Sequence, residues 1–212
     1  MRIRPVGAHA LLLDFAVPEA AAGPGVADLV EAWRAELWRR RESGELTAAE
    51  IVPAATTVLL DGVPDPTATA HRIAGWTPRP AATTAPAGTV EIPVTYDGQD
   101  LPAVAGHWGV DVPAVVQRLR RTRFRVAFCG FAPGFAYLTG LPAGLAVPRL
   151  PSPRPRVPAG SVALAGPYAG VYPSASPGGW LLVGRTELTL FDVHADPPAR
   201  LTPGTEVRLV AG

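Results

Sequence analysis

Residues 128–185 hold a dense set of glycine and proline residues that restricts how this part of the chain can fold. The segment contains ten Gly and ten Pro among 58 residues, with aromatic and β-branched side chains between them. Proline fixes φ, and glycine permits backbone angles closed to other residues, so the pattern predicts defined turns and not a flexible linker. The charged side chains of the segment are Arg149, Arg154, Arg156 and Arg185.

The chemistry of this segment is limited by the residue types that it lacks. Guanidinium groups suit planar anions such as carboxylate or phosphate. The segment has no Asp, Glu, His or Lys, so it offers neither a carboxylate nor an imidazole as a general base at neutral pH. We therefore expect a binding surface whose acid–base groups come from a partner.

The composition of the whole chain narrows the classes of function. A chain of 212 residues with 48% hydrophobic and 17% charged residues can bury a core in one large or two small domains. All 19 basic residues are Arg, which excludes a P-loop lysine, a Schiff-base lysine and a biotinyl-lysine. Cys129 is the single cysteine, and no Cys/His spacing predicts a metal site. The apolar run near the N-terminus is short and contains Asp14, so we expect a strand there and neither a signal peptide nor a membrane span. We expect a cytoplasmic protein.

The distribution of proline and of apolar residues predicts two domains. Residues 77–89 are rich in Pro, Thr and Ala, as in a linker, so we place a boundary between an α+β domain over residues 1–86 and a mainly-β domain over residues 87–212. The elements predicted in the first domain are a strand at His9–Phe15, a helix from Pro24 to the arginines near residue 40, one or two strands in Glu50–Asp61 and a helix from Asp65-Pro66 to about Trp76.

The second domain shows the pattern of an antiparallel barrel or sandwich. Two short helices are expected near its start, one from Asp100 and one capped by Asp111. The predicted strands are Val90–Tyr96, Phe124–Phe131, Ser161–Ala165, Val171–Tyr172, Trp180–Gly184, Leu188–Phe191 and Glu206–Val210.

Several candidate sites can be weighed against simpler interpretations. Ser161 and Ser176 lack the G-x-S-x-G context of a nucleophile elbow, and Cys129 in mid-strand favours a core residue. The arginines at residues 118–125 favour a solvated helix end and not a nucleic-acid surface. The Gly-rich turns are either tight turns or part of an anion-binding groove. The candidate anion-binding residues are Arg149, Arg154, Ser161, Gly178, Gly179 and Arg185, and the candidate walls are Phe131, Pro133, Phe135, Tyr137, Tyr172 and Trp180.

The order of motifs resembles that of a known family. The motifs are GF-x-PGF-x-YL at residues 130–138, PR-x-x-VPAGSV at 153–162, AG-x-x-x-GVYP at 165–173 and SPGGW-x-L-x-GRT at 176–186, with a weaker EIPVTYDG-x-DL at 91–101. Together they resemble the family of 5-oxoprolinase B subunits, known also as allophanate hydrolase subunit 1 or KipI-type kinase inhibitor. Many members carry a His just before the Phe124 strand. This chain has Leu119 there, so a role for that His is not carried over.

The resemblance implies a fold and a function. It implies a ferredoxin-like α+β domain followed by a cyclophilin-like barrel, in a cytoplasmic complex with two partner subunits, one cyclophilin-like and one of the LamB/YcsF type. That complex hydrolyses 5-oxo-L-proline to L-glutamate with ATP, and we expect ATP and Mg to be held largely by the partner subunits. Arg149 and Arg185 are the arginines expected at the site, with Arg156 at the surface, and no catalytic residue is assigned.

The family also leaves two other functions open. One is a regulatory protein that inhibits autophosphorylation of a sensor histidine kinase. The other is a carboxyltransferase or amidohydrolase subunit for urea-like or allophanate-like substrates.

Overall fold

The computed structural model describes residues 1–16, 24–78 and 88–212, and its contacts separate two compact units, Met1–Thr84 and Ala85–Gly212. The predicted domain boundary near residue 86 and residues 79–87 of the predicted linker lie outside the described residues. In the described parts of the chain, no helix has both the length and the apolar character needed to cross a membrane.

The first unit is an antiparallel sheet with two helices, as the α+β prediction requires. The strands lie in the order β1-β2-β4-β3. The elements are β1 (Arg2–Val6), β2 (Ala10–Asp14), α1 (Pro24–Glu42), β3 (Glu50–Pro53), β4 (Thr57–Asp61) and α2 (Pro66–Ala74). The sequence pattern missed β1, because this edge strand is largely exposed and has only Ile3 packed against the core.

Apolar periodicity accounts for α1, and a side-chain cap accounts for the start of α2. Trp33 and Leu37 of α1 are buried in one cluster with Leu11 of β2 and Leu60 of β4. The carboxylate of Asp65 accepts a hydrogen bond from the backbone N–H of Ala68 at 2.9 Å, which caps α2 as predicted.

The second unit is rich in short strands. Its predicted helices are confirmed, and Asp111 caps the second one by accepting from the Ala114 N–H at 2.8 Å. Its elements are β5 (Thr89–Val94), α3 (Leu101–Trp108), α4 (Val112–Arg121), β6 (Phe124–Cys129), β7 (Ala136–Thr139), β8 (Arg154–Val157), β9 (Ser161–Ala165), β10 (Tyr168–Val171), β11 (Ser176–Gly178), β12 (Leu181–Arg185) and β13 (Glu206–Ala211), with a 3₁₀ turn at Ala143–Leu145.

The main sheet of this unit forms a nearly closed barrel. Its order is β12-β9-β10-β7-β6-β13-β5, and Thr95 and Arg185 exchange two backbone hydrogen bonds of 2.9 Å, which join its two ends. The sheet is mixed and not purely antiparallel, because β13 pairs in parallel with β5. These are the last and first strands of the unit, so local turn signals carry no information about their pairing. Strands β8 and β11 form a separate two-stranded sheet.

Three short strands were not predicted from the sequence, and one predicted strand is absent. The pattern missed β7, β8 and β11, which have only three or four residues each. The predicted strand at Leu188–Phe191 is wrong, since this segment is irregular and the Leu190 carbonyl accepts from the Arg200 N–H at 2.9 Å.

Alternation along the strands gives the main sheet two different buried faces. We call one the core face, where Val162 and Leu164 of β9 pack in the cluster that includes Leu119 of α4. Leu119 is fully buried there, so this position belongs to the core. We call the other the aromatic face, where Ala163 of β9 packs with Phe135 and other aromatic residues. Burial on both sides explains the continuous apolar run of β9.

Candidate functional site

The aromatic face carries a connected cluster of rings. Phe135 lies at its centre, with ring centroids 5.1 Å from Tyr137, 5.3 Å from Tyr172 and 5.4 Å from Trp180. These pairs have edge-to-face geometry, in which aromatic rings stabilise each other beyond the effect of buried area. The cluster also includes Phe128, Phe131 and Tyr168.

A cavity of about 490 Å³ opens on this face, a size typical of ligand sites. Its lining is mostly apolar, with phenol groups, one indole and one guanidinium. The structure brings together several predicted site residues, namely Phe131, Phe135, Tyr137, Arg149, Tyr172, Gly178 and Trp180. It adds Tyr168, which the sequence interpretation missed although it stands within the AG-x-x-x-GVYP motif. The predicted residues that do not line the cavity are Pro133, Arg154, Ser161, Gly179 and Arg185.

Arg149 supplies the positive charge of the cavity. Its side chain is exposed and makes no ion pair or side-chain hydrogen bond with the described residues. Burial raises the pKa of the Tyr137 phenol, and the Arg149 charge opposes that shift. Burial also raises the pKa of Tyr172, opposed by a hydrogen bond from the Trp180 backbone N–H and then by Arg149. The cavity therefore combines a guanidinium with protonated phenol groups.

Gly178 allows the closest approach inside the cavity. A Cβ at this position would lie 2.3 Å from the Tyr172 hydroxyl oxygen, so no larger residue fits without displacing the ring. Gly170 plays a similar part, since its Cβ would lie 3.0 Å from Phe135 and 3.1 Å from Trp180. Glycine is required at these positions because aromatic side chains pack against the backbone there, and not only because the chain turns.

Phe131 forms the exposed rim of the cavity. Its side chain is 62% exposed and its φ is +72°, a value that is an outlier for a bulky residue. The tight turn around it is held by the Ala132 N–H, which donates to the Gly130 carbonyl at 2.9 Å, and by the Phe135 N–H, which donates to the Ala132 carbonyl at 3.0 Å. Strained residues of this kind cluster at functional sites.

Arg154 lies outside the cavity and is fully engaged with other groups. Its Nη2 atom donates to both carboxylate oxygens of Asp100 at 2.8 Å, and its Nη1 atom donates to the Trp180 carbonyl at 3.2 Å. These contacts leave the guanidinium turned toward the protein and not toward a ligand.

The other predicted anion-binding residues also have protein partners. Arg185 is exposed and pairs with Asp97 at 2.9 Å. Ser161 is buried in β9, and its N–H donates to the Pro158 carbonyl at 3.3 Å. The Gly179 carbonyl accepts from the Leu150 N–H at 2.7 Å. The structure thus separates Arg149 and Gly178, which line the cavity, from the rest of the predicted set.

The nucleophile candidate Cys129 and the Gly-rich turns can be judged in the same way. The Cys129 thiol donates to the Leu201 carbonyl at 3.5 Å, and burial raises its pKa, which disfavours the thiolate. The N–H groups of Gly160 and Gly166 donate to backbone carbonyls at 2.7 Å, so neither is free to cradle a phosphate. Over residues 1–16, 24–78 and 88–212, no group of three or more His, Cys, Asp and Glu side chains is placed to hold a metal ion.

Comparison with curated proteins finds relatives that carry one name, the B subunit of 5-oxoprolinase. The chain is 50% identical over 124 residues to the protein of that name from Escherichia coli O157:H7, an alignment that spans 57% of each protein. It is 44% identical over 124 residues to the one from Bacillus subtilis (strain 168), spanning 57% of this chain and 52% of the relative. The matched region is therefore little more than half the length of these relatives.

Solved structures resemble the whole chain. TTHA0988 matches with a TM-score of 0.77 and 34% identity over 97% of this chain and 40% of its own. The uncharacterised protein PH0987 from Pyrococcus horikoshii matches with a TM-score of 0.56 and 34% identity over 100% of this chain and 97% of its own. Kluyveromyces lactis urea carboxylase matches with a TM-score of 0.69 at 18% identity, over 99% of this chain and 21% of its own, which shows a shared fold.

A family profile matches nearly all of the chain. The family described as "Carboxyltransferase domain, subdomain C and D" covers residues 1–201. This match agrees with the mixed-sheet barrel and with the motifs at residues 130–186. The chain therefore belongs to the carboxyltransferase subdomain C and D family, and the predicted resemblance to the B subunits of 5-oxoprolinase is confirmed.

Proposed function

We propose that this chain is the B subunit of an ATP-dependent 5-oxoprolinase, which hydrolyses 5-oxo-L-proline to L-glutamate. The names of the curated relatives support this proposal. The observation that carries it is Arg149, a guanidinium without a carboxylate partner among the described residues, at an aromatic cavity of about 490 Å³. The substrate is a small ring with one carboxylate, and these are the two features that such a cavity selects.

Each part of the cavity has a role in this proposal. Arg149 binds the substrate carboxylate, because its planar fork matches both oxygens. The apolar lining, which includes Phe135 and Trp180, contacts the lactam ring. The O–H groups of Tyr137 and Tyr172 donate to the lactam carbonyl. Phenols are protonated at neutral pH, and burial raises the pKa of these two further. Arg154 and Arg185 are not part of this site, since both already pair with carboxylates.

The proposed subunit does not act alone. Lactam hydrolysis breaks the C–N bond, adds water and requires proton transfer, yet the cavity lining includes no Asp, Glu or His. We assign no catalytic residue to this chain and attribute the acid–base groups to the partner subunits, one cyclophilin-like and one of the LamB/YcsF type. By the same proposal the two units have ferredoxin-like and cyclophilin-like folds and the complex is cytoplasmic.

ATP and Mg²⁺ fit poorly to the described residues of this chain. The turn N–H groups at Gly160 and Gly166 are already used, and no cluster of metal-binding side chains is present in the described ranges. ATP supplies the free energy that lactam opening requires, and we propose that the nucleotide and its metal ion are held by the partner subunits.

Reconstitution of the complex tests the proposal. The chain is co-expressed with candidate LamB/YcsF-type and cyclophilin-like partners, and glutamate release from 5-oxoproline is measured with and without ATP. We expect ATP-dependent activity only when all three proteins are present. Equal activity in a preparation without this chain would refute the proposed function. Urea and allophanate, tested in the same assay, decide whether the carboxyltransferase-type alternative applies.

A second candidate function is supported by the rim of the cavity. Phe131 is exposed and held at a positive φ, and exposed aromatic residues are enriched in protein interfaces. A regulatory protein that binds a sensor histidine kinase would use this rim. The test measures autophosphorylation of a sensor kinase from the same genome with the wild-type chain and with Phe131→Ala. Inhibition by the wild type and its loss in the variant would support this function, and no inhibition by either would reject it.

A further inference from the structure

The half-buried network around Arg154 is the feature that the proposed site leaves without a function. Arg154 Nη2 donates to both oxygens of Asp100 at 2.8 Å, and Nη1 donates to the Trp180 carbonyl at 3.2 Å. With its amide group rotated by 180°, Gln99 would place its oxygen 2.7 Å from Arg154 Nε and 2.9 Å from Nη2, as an acceptor for both. The side chains of Arg154 and Asp100 are only 22% and 12% exposed, so solvent screens this pair weakly.

This network joins separate segments of the second unit. Asp100 precedes α3, and its carboxylate also accepts from the Leu182 N–H at 2.7 Å. The Asp100 N–H in turn donates to the Leu182 carbonyl at 3.0 Å. Arg154 opens β8, where its register partner is Gly178 of β11. The ion pair therefore ties the small sheet to the barrel strand β12 and to the start of α3.

The segments that it joins form one wall of the cavity. Gly178 and Trp180 both line the cavity. The Tyr172 hydroxyl lies against Gly178, where a Cβ would come within 2.3 Å of its oxygen, and the Trp180 backbone acts to lower the pKa of this phenol. A shift of the backbone at residues 178–180 would move the indole ring and the phenol hydroxyl together. The contacts thus run from Asp100 through Arg154 to the Trp180 carbonyl, and the Tyr172 hydroxyl packs beside Gly178 of the same segment.

We propose that Asp100 and Arg154 are positioning residues, which hold the Gly178–Trp180 wall in the geometry that binds the substrate. This inference rests on the proposed function for the identity of the ligand. The pair does not touch the substrate. It acts through Trp180 and Tyr172, and it therefore controls the affinity for the ring more than the chemical step. Asp97 and Arg185 form a matched control pair, because they are exposed and outside the cavity.

The experiment compares Arg154→Met and Asp100→Asn with Arg185→Met in the reconstituted complex. We expect the KM for 5-oxoproline to rise roughly 10- to 100-fold in the first two variants, with a much smaller change in kcat. Arg185→Met should leave both values unchanged. Asp100→Asn keeps an amide oxygen for the Leu182 N–H, so it should show the smaller rise and serves if Arg154→Met fails to fold. A fall in melting temperature with an unchanged KM would overturn the proposal.

A second measurement separates this proposal from the proposed function. The amide and indole N–H signals of Trp180 are followed by NMR in the chain alone. They should shift in Asp100→Asn and remain in place in Arg185→Met. Unshifted Trp180 signals would overturn the positioning role. Shifted signals without any 5-oxoprolinase activity of the wild-type complex would instead reject the proposed function and leave the structural link established.

Discussion

The two buried faces of the main sheet come from the same strands and differ in chemistry. On the core face, Val162 and Leu164 pack in a mainly aliphatic cluster that also includes Trp108 and Phe124. On the aromatic face, Ala163 of the same strand packs beside Tyr172 and Trp180, which carry a hydroxyl and an indole N–H. Neighbouring residues of β9 lie in different environments, because successive side chains of a strand point to opposite faces of the sheet.

This difference separates stability from binding within one sheet. The core face is buried and packed mainly with apolar side chains such as Val and Leu, so substitutions there should change the free energy of unfolding. The aromatic face borders a cavity with Arg149 at the opening, so its substitutions should act on ligand affinity. Substitutions on each face therefore test whether stability and binding are separate.

Leu164→Ala should have the largest effect on stability. Leu164 is fully buried on the core face, and removal of its side chain leaves a cavity that costs about 2–5 kcal/mol of unfolding free energy. Denaturant unfolding measures the loss, and the KM of the folded fraction in the complex should be unchanged. A loss below about 1 kcal/mol, or a raised KM, would show that the two faces are not independent.

Gly178→Ala should affect both properties. The new Cβ would lie 2.3 Å from the Tyr172 hydroxyl oxygen, so the ring must move, at a cost of about 1–3 kcal/mol for overpacking. Thermal unfolding and the KM for 5-oxoproline should both change. Gly144→Ala is the matched control, since a Cβ at Gly144 meets nothing within 4 Å. Equal behaviour of the two variants would contradict the close approach of Tyr172.

Arg149→Met should affect binding alone. Loss of charge-assisted hydrogen bonds worth about 1.5–3 kcal/mol should raise the KM for 5-oxoproline roughly 10- to 100-fold. The unfolding free energy should stay within about 0.5 kcal/mol, because the exposed side chain has no ion-pair partner among the described residues. Arg185→Met controls for the general loss of a positive charge. A KM that is unchanged by Arg149→Met would remove Arg149 from the site.

The smallest expected effect is that of pH on ligand affinity. The cavity lining has no Asp, Glu or His, and burial raises the pKa of Tyr137 and Tyr172 above the usual 10. The dissociation constant of 5-oxoproline, measured by calorimetry on the complex, should therefore change less than about twofold between about pH 6 and pH 9. Affinity should fall only at higher pH, as the phenols lose the proton that they donate. A transition near pH 6.5 would indicate a histidine in contact with the ligand.

Much of the fold could be predicted from local sequence. The Asp65-Pro66 and Asp111 caps located two helix starts, because a cap and its N–H partner are only three residues apart. Strand β9 was predicted with its bounds, since Ser161–Ala165 is a continuous apolar run between turns. Strands of three or four residues, such as β8 and β11, were missed because so few residues show no periodicity. The parallel pairing of β5 with β13 joins the two ends of the unit, and no local pattern reports it.

The family, the residue types of the site and the absence of Asp, Glu, His and Lys from residues 128–185 can all be seen in the amino-acid sequence. Which arginine remains available to a ligand depends on the tertiary structure. Arg149, Arg154 and Arg185 have similar surroundings in sequence, yet Asp100 pairs with Arg154 across 54 residues and Asp97 pairs with Arg185. Ion pairs between distant residues depend on how the strands and helices pack, so sequence spacing does not reveal them. In the folded barrel Arg149 lies at the cavity, and Arg154 contacts the Trp180 carbonyl in the cavity wall.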